Sequence, residues 1–339
     1  MKKIILILPF LFVFSACSPT YERFEAHELG LFDTFITFIA YTENRENFNR
    51  AADFIFERMH ELHMHFDIFN SYEGINNLRD INENAGIAPL SVSYDVINLI
   101  IHAREAERIT GGAVNAALGP VLSIWREYRE PGVANPDVAR VPSFDLLAAA
   151  AGLTDMDYVI TDEAALTVFL AKPDMSLDVG AVAKGFAAGL VMDELMAEHG
   201  VRAAILNAGG HIVAAGAPPG RDYWNVGIQN PEAGLAPVDA VNIVDKTVSI
   251  SGGNQRFFRV GDRAFGHIID PGTLFPSERF AQVAVIHADS WMADILSTAL
   301  FILPLEEGKA LAGKTGADAL WIKPDGERVR FENSPDSRP

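Results

Sequence analysis

Asp294, Ser297 and Thr298 set three hard oxygen donors on one face of an otherwise apolar segment, DSWMADILSTALFIL, residues 289–303. Met292, Ile295, Leu296, Ala299 and Leu300 recur at helical spacing, so the segment buries itself, and a carboxylate in its middle loses hydration unless something cationic meets it. Positions i, i+3 and i+4 project from the same face, and carboxylate with hydroxyl oxygens suits Mg²⁺ rather than zinc or copper. A structural carboxylate, satisfied by the helix dipole or by an arginine elsewhere, fits the same spacing.

A second segment, residues 176–216, reads SLDVGAVAKGFAAGLVMDELMAEHGVRAAILNAGGHIVAAG: an apolar approach, a turn, an amphipathic helix, a strand and a Gly-Gly turn. Val182, Phe186, Leu190 and Leu195 supply the buried stripe of the helix. Gly180 and Gly185 bracket its first turn, where free backbone N–H groups and the positive dipole end favour a phosphate. Lys184 stands in that turn, an unfavourable place for a cation on dipole grounds, so an anion is expected beside it. The spacing is neither a P-loop nor the dinucleotide fingerprint.

Taken together, these motifs and their order resemble the ApbE family, the FAD:protein FMN transferases. The resemblance rests on DVGAVAKG at 178–185, NAGG at 207–210, GIQNP at 227–231, SGGNQRFF at 251–258, HIIDP at 267–271 and ADILSTA at 293–299, and covers residues 28–305. It implies an α+β fold, T-fold-like, with antiparallel sheets and packed helices. By position it implies flavin-nucleotide contacts at Tyr72, Ala113, Val114, Asn115, Asp178, Lys184 and Ile269. The metal ligands it implies are Ala181, through its backbone carbonyl, with Asp294, Ser297 and Thr298. Two positions depart from the family pattern: Val114-Asn115 stands for Phe-Asp, and Ser297 for an Asp found in many relatives, leaving Asp294 the sole carboxylate of the metal helix.

The implied reaction is Mg²⁺-dependent transfer of FMN from FAD to a Thr or Ser hydroxyl on an acceptor protein that carries a flavinylation motif, with release of AMP. Such a reaction asks for charge neutralisation at phosphate oxygens, which a metal at Asp294, Lys184 and a helix N-terminus would supply. His267 and Asp270 are candidate proton acceptors, and for His267 a merely hydrogen-bonded histidine beside a strand fits equally. Two other readings use the same pocket: an Mg²⁺-dependent FAD pyrophosphatase giving FMN and AMP, and a non-catalytic FAD-binding lipoprotein.

The amino terminus, MKKIILILPFLFVFSAC, has two lysines, an apolar run short for a membrane span, and small residues before Cys17, the only cysteine of 339 residues. This pattern reads as a lipoprotein signal: residues 1–16 are expected to be removed, Cys17 to be acylated and residues 17–27 to form a tether, holding the protein at the extracytoplasmic face of a membrane, on the periplasmic side or at the cell surface; Phe14, at the third position before Cys17 where Leu is usual, leaves ordinary signal cleavage without a lipid as the alternative. A lone cysteine permits no internal disulfide. The net charge of −18 excludes nucleic acid as a partner.

The positioning elements follow from periodicity. A helix is expected over 45–67, with Phe48, Ala52, Ile55, Met59, Leu62 and Phe66 buried, and another from Ser93 to Arg108. The Pro/Gly-rich passage 129–143 reads as a long loop. After a helix at 182–199, strands are expected at 201–206, 240–250 and 280–287, with a hairpin across 260–263. Residues 28–327 make one catalytic domain and 328–339 a polar tail. HELHMH at 60–65 misses the zinc-protease spacing, Trp125 and Trp224 read as packing residues, and Ser251 lacks a nucleophile-elbow context.

Overall fold

The structure, a computed structural model, describes residues 20–232, 234–253 and 256–333. In chain order the elements are β1 (Glu22–Leu29), β2 (Phe35–Thr42), α1 (Arg45–Phe66), α2 (Leu78–Glu83), β3 (Leu90–Ser91), α3 (Tyr94–Thr110), α4 (Gly119–Ala134), α5 (Phe144–Ala151), β4 (Val159–Asp162) and β5 (Thr167–Leu170). They continue with α6 (Ala183–Glu198), β6 (Ala203–Ala208), β7 (His211–Ala215), β8 (Trp224–Ile228), β9 (Asp239–Ile243), β10 (Lys246–Gly252), β11 (Phe257–Val260) and β12 (Arg263–Gly266). The last are β13 (Ile269–Asp270), β14 (Phe275–Pro276), β15 (Gln282–His287), α7 (Ser290–Ile302), α8 (Leu305–Thr315), β16 (Asp318–Ile322) and β17 (Arg328–Phe331).

Eight strands form one sheet in the order β1-β2-β6-β7-β10-β15-β16-β17, and every neighbouring pair is antiparallel. This is the expected α+β architecture. Because side chains alternate along a strand, the sheet has two distinct faces. Leu206, Val213, Val283, Val285 and Trp321 join α1, α3, α6 and α7 in the main core, while Ile205, Ile212, Val248, Ala284, Ile286 and Leu320 pack beneath the β8–β9 hairpin. The same parity puts His211 and Ser249, cross-strand partners on β7 and β10, on the helix side. A third cluster joins Val121 and Trp125 of α4, Leu147 of α5, Phe258 and Phe265 of the β11–β12 hairpin, and Ile269.

Capping fixes the long helices at their N-termini. Asn44 and Ser93 accept the backbone N–H groups of Asn47 and Val96, so α1 starts at Arg45 and α3 at Tyr94, close to the expected boundaries. The passage 129–143 differs from expectation: α4 runs through Pro131 to Ala134. Pro131 falls in the last turn, and Gly132 there lets the Phe258 ring lie against the helix, since a Cβ on Gly132 would stand 2.9 Å from that ring.

The expected strand 240–250 is two strands in different sheets. Asp245 turns the chain with φ of 49°, its carboxylate accepting the Gly216 N–H at 2.7 Å, so β9 pairs with β8 and β10 enters the main sheet. Both margins carry more order than composition suggests: β1 begins inside the expected tether, and β17 lies inside the expected tail and pairs with β16. Their side chains are mostly exposed, which hides edge strands from a hydropathy reading. The signal segment and Cys17 lie outside the described residues.

Candidate functional site

The site starts where α6 meets α7. Gly185 and Gly189 are one turn apart on α6, and a Cβ on Gly185 would stand 2.4 Å from Asp294 Cβ and 2.9 Å from the Ser290 carbonyl oxygen. Only glycine permits that approach, and it brings the Asp294 carboxylate onto the first turn of α6. Oδ2 accepts the Gly185 N–H at 2.8 Å; Oδ1 lies 3.2 Å from Lys184 Nζ and accepts the Ser249 hydroxyl at 3.1 Å. The anion anticipated at this helix start is therefore supplied first by the protein itself, and the Gly185 N–H is not free for phosphate.

Asp294 is 3% exposed. Burial pushes its carboxyl upward, but the Lys184 ammonium, the neighbouring His211 and the Gly185 N–H outweigh that effect, holding it well below the usual carboxylate range and ionised. Ser297, one turn on, donates its hydroxyl to the Asp294 carbonyl at 2.9 Å and lies 2.8 Å from Ser251 Oγ and 3.2 Å from Ser249 Oγ. With the Ser249 hydrogen on Asp294 and the Ser297 hydrogen on the helix carbonyl, the oxygen lone pairs of these two hydroxyls converge. Converging oxygen lone pairs beside an ionised carboxylate fit a hard cation. Thr298 is partly exposed on the same helix, and Ala181 sits in the turn that leads into α6. Among the described residues no three His, Cys, Asp or Glu side chains cluster for a softer metal.

Lys184 also acts electrostatically on a second group. His267, where the chain leaves the β11–β12 hairpin, is pushed down to about 4, chiefly by burial and then by the positive charges of Arg256, Arg129 and Lys184, so it is a neutral imidazole at neutral pH. Burial and its neighbours Arg126 and Arg256 also depress the Arg129 guanidinium. Three positive charges thus act on one neutral histidine in a protein of net charge −18. A concentration of positive charge against the trend of the chain is the signature of an anion site.

Asp178 borders this cluster: its Oδ2 accepts Arg126 Nη2 at 2.9 Å and its Oδ1 the Gly180 N–H at 3.0 Å. The Arg126 guanidinium lies 4.5 Å above the Phe69 ring, in the loop that carries Tyr72. Tyr72 donates its hydroxyl to Asp67 Oδ2 at 2.8 Å and is pushed up to about 12 by burial and by that carboxylate. Backbone bonding joins Asp178 N–H to the Ala116 carbonyl at 2.7 Å, next to Ala113, Val114 and Asn115. Val114 is buried, its N–H donating to Thr110 Oγ1. Ile269 is buried in the third cluster, and Asp270 closes the β13–β14 turn by accepting the Gly272 N–H at 2.8 Å. In this arrangement Asp270 is a turn residue, whereas His267 has a buried, unpartnered Nδ1.

Asn115 has a local reason to depart from Asp. Its Oδ1 accepts the Ala117 N–H at 2.7 Å while its Nδ2 donates to the Thr154 carbonyl at 2.8 Å, a donation a carboxylate cannot make. Asn115→Asp is expected to cost about 1–3 kcal/mol by setting an anion against that carbonyl, measured as a fall in the urea midpoint at unchanged slope.

The pH dependence of stability follows from His267. Its folded value lies below the unfolded one, so the unfolded chain binds the extra proton and stability falls as pH drops from about 6.5 to about 4. Denaturant melts across that window are expected to show the loss, up to about 3 kcal/mol, and His267→Gln to flatten it.

Arg126, Arg129, Arg256, His211 and Ser249 are missing from the sequence reading of the site. Arg126 and Arg129 carried a faint signal, an i, i+3 pair on one helix, and Ser249 with Ser251 another, two polar side chains at period two in an apolar strand.

The family model described as the ApbE family matches residues 32–321. An FAD:protein FMN transferase of Treponema pallidum (strain Nichols) is 36% identical over 269 residues, covering 75% of this chain and 72% of the relative. One from Klebsiella pneumoniae (strain 342) is 33% identical over 267 residues, covering 76% and 80%. Among solved structures, the ApbE protein of Thermotoga maritima superposes with a TM-score of 0.81 at 24% identity, covering 92% of this chain and 97% of that one. The flavin transferase ApbE of Vibrio cholerae gives 0.75 at 20% identity, covering 93% and 98%.

Proposed function

The chain belongs to the ApbE family, and on that premise we propose that it is an FAD:protein FMN transferase, moving FMN from FAD onto a protein. The observation that carries the reading is Lys184: one ammonium lies on the buried Asp294 carboxylate and also acts on neutral His267 beside Arg129 and Arg256. A cation-binding carboxylate and an anion pocket therefore share one side chain, as cleavage of a pyrophosphate requires.

The residues divide the work as follows. Asp294, Ser297, Thr298 and the Ala181 carbonyl would hold Mg²⁺, which would supply Lewis-acid neutralisation of the phosphate oxygens. Lys184, Arg129 and Arg256 bind the pyrophosphate and take up the charge that develops on AMP. Asp178, with Arg126, and the Tyr72 and Ala113–Asn115 segments border the flavin-nucleotide pocket, with Ile269 on its apolar side. The acceptor's Thr or Ser oxygen forms a bond to the FMN phosphorus, the phosphorus–oxygen bond to AMP breaks, and His267 accepts the hydroxyl proton through a free ring nitrogen. Cys17, acylated after removal of residues 1–16, tethers the enzyme to the extracytoplasmic face of a membrane, and its acceptor is an exported protein.

Product analysis tests the proposal. With FAD, Mg²⁺ and an acceptor, flavin fluorescence is expected to migrate with the acceptor under denaturing conditions while AMP appears in equal amount. Free FMN and AMP over an unlabelled acceptor would make the chain a pyrophosphatase, and intact FAD would make it a carrier.

A further inference from the structure

The turn between β1 and β2 is held in a backbone shape that its sequence does not favour. Phe32 and Asp33 stand there in succession with φ of 51° and 54°, left-handed values that glycine adopts freely and a bulky phenylalanine rarely does. Neighbouring contacts fix them. The Phe32 N–H donates to His63 Nδ1 of α1 at 3.3 Å, the two rings meet edge to face at 5.5 Å, and Leu31 is buried. On the other side Thr34 packs against Gly209 of the β6–β7 turn so closely that no Cβ fits at that glycine. Strained backbone braced on two sides is the pattern found where conformation serves a site.

What the turn presents is Asp33. Its carbonyl oxygen accepts Arg256 Nη2 at 3.1 Å, and its carboxylate Oδ2 lies 3.8 Å from Arg256 Nη1. Both side chains are exposed, so the ion pair contributes little alone. The carbonyl is the firm contact, because the braced backbone fixes its direction. Arg256 leads into β11 and His267 follows β12. Phe257 pairs with Gly266, so Arg256 and His267 lie across from each other at the base of that hairpin. The turn after β1 therefore grips one side of the hairpin end whose other side carries the proton acceptor of the proposed reaction.

We propose that Asp33 is a positioning residue for FMN transfer: the β1–β2 turn clamps the Arg256 guanidinium beside His267, ready for the pyrophosphate. This rests on the reading of Arg256 and His267 as residues of that reaction. A free arginine loses rotamer freedom when it grips a phosphate, whereas one already held at its guanidinium is pre-organised. Aspartate suits position 33 because Asp and Asn tolerate left-handed backbone better than other side chains do, and so keep the carbonyl aimed.

Substitutions at position 33 in the whole protein test it. Asp33→Val, which disfavours left-handed backbone, is expected to lower kcat/KM for FAD by about ten- to a hundredfold. Its second readout needs no substrate. The charge of Arg256 helps to hold His267 down, so ¹⁵N-histidine nuclear magnetic resonance is expected to show the His267 midpoint rising from about 4 toward 6.5, with Arg129 and Lys184 still opposing the proton. Asp33→Asn, with the same backbone tolerance, is expected to stay within about threefold of wild type in kcat/KM and to leave the midpoint in place. Asp33→Val that folds with wild-type kcat/KM and midpoint would overturn the proposal. Equal impairment in Asp33→Asn would overturn it as well, since the carboxylate and not the aimed carbonyl would then hold Arg256. If Asp33→Val does not fold, Asp33→Gly decides: it allows the left-handed turn without enforcing it, and wild-type values in both readouts would overturn the clamp. Absence of FMN transfer by the wild type, with the midpoint shift present in Asp33→Val, would instead overturn the reaction reading beneath it.

Discussion

Asp294→Asn is expected to cut FMN transfer by about a thousandfold or more while the protein remains folded. Asn has the shape of Asp, and its carbonyl oxygen still accepts from either the Gly185 N–H or the Ser249 hydroxyl. What it loses is the negative charge that meets Lys184 and that, in the proposed reaction, would anchor the cation. Single electrostatic contributors at phosphoryl and acyl centres account for about 10²–10³ in rate, and this one also sets the position of Lys184. Binding of FAD should weaken much less, since Asp178, Arg129 and Arg256 are untouched. Steady-state AMP release at saturating Mg²⁺, paired with FAD titration, separates the two effects. Activity within tenfold of wild type would remove Asp294 from the mechanism.

Gly185→Ala is expected to destabilise the protein by about 3 kcal/mol or more and to abolish activity with it. In an ordinary helix interior the change would gain about 1 kcal/mol. Here the new methyl would lie 2.4 Å from Asp294 Cβ, 2.9 Å from the Ser290 oxygen and 3.0 Å from Trp291 Cα, and two of these are backbone atoms that no rotamer change can move. Helix α7 must withdraw, which opens the interface and lengthens the Gly185 N–H bond to Asp294. Thermal melts should register a fall of several degrees. Gly180→Ala, whose Cβ would meet only Asp178 Oδ1 at 3.2 Å, is expected to be milder. Equal melting temperatures for Gly185→Ala and wild type would show that the helices are not packed through this residue.

The contrast between these glycines shows where sequence reading reaches and where it stops. Local periodicity located α1, α3, α6 and α7, because each must turn an apolar stripe to the core, and it set Asp294, Ser297 and Thr298 on one face. It did not reveal why Gly185 is glycine, since the reason lies 109 residues away in α7. The run at 240–250 looked like one strand because both halves are apolar; the split depends on a single left-handed Asp245. The cationic pocket was illegible for a related reason. Arg129 opens the Pro/Gly-rich passage that reads as a loop, and neither Arg126 nor Arg256 stands in a pattern that marks an anion site. Only folding of the third cluster around Trp125 brings the β11–β12 hairpin against α4 and the charges of Arg129 and Arg256 to bear on His267. His211 gave no signal at all, since its pairing with Asp294 crosses a sheet–helix interface.

The most direct test is peptide-level mass spectrometry of an exported acceptor incubated with FAD, Mg²⁺ and this protein. The expected result is a gain of one FMN group on a single Thr or Ser, matched by equimolar AMP, absent with Asp294→Asn and absent when the acceptor hydroxyl is replaced by Ala or Val. An acceptor of unchanged mass, with FAD either intact or converted to free FMN and AMP, would contradict it.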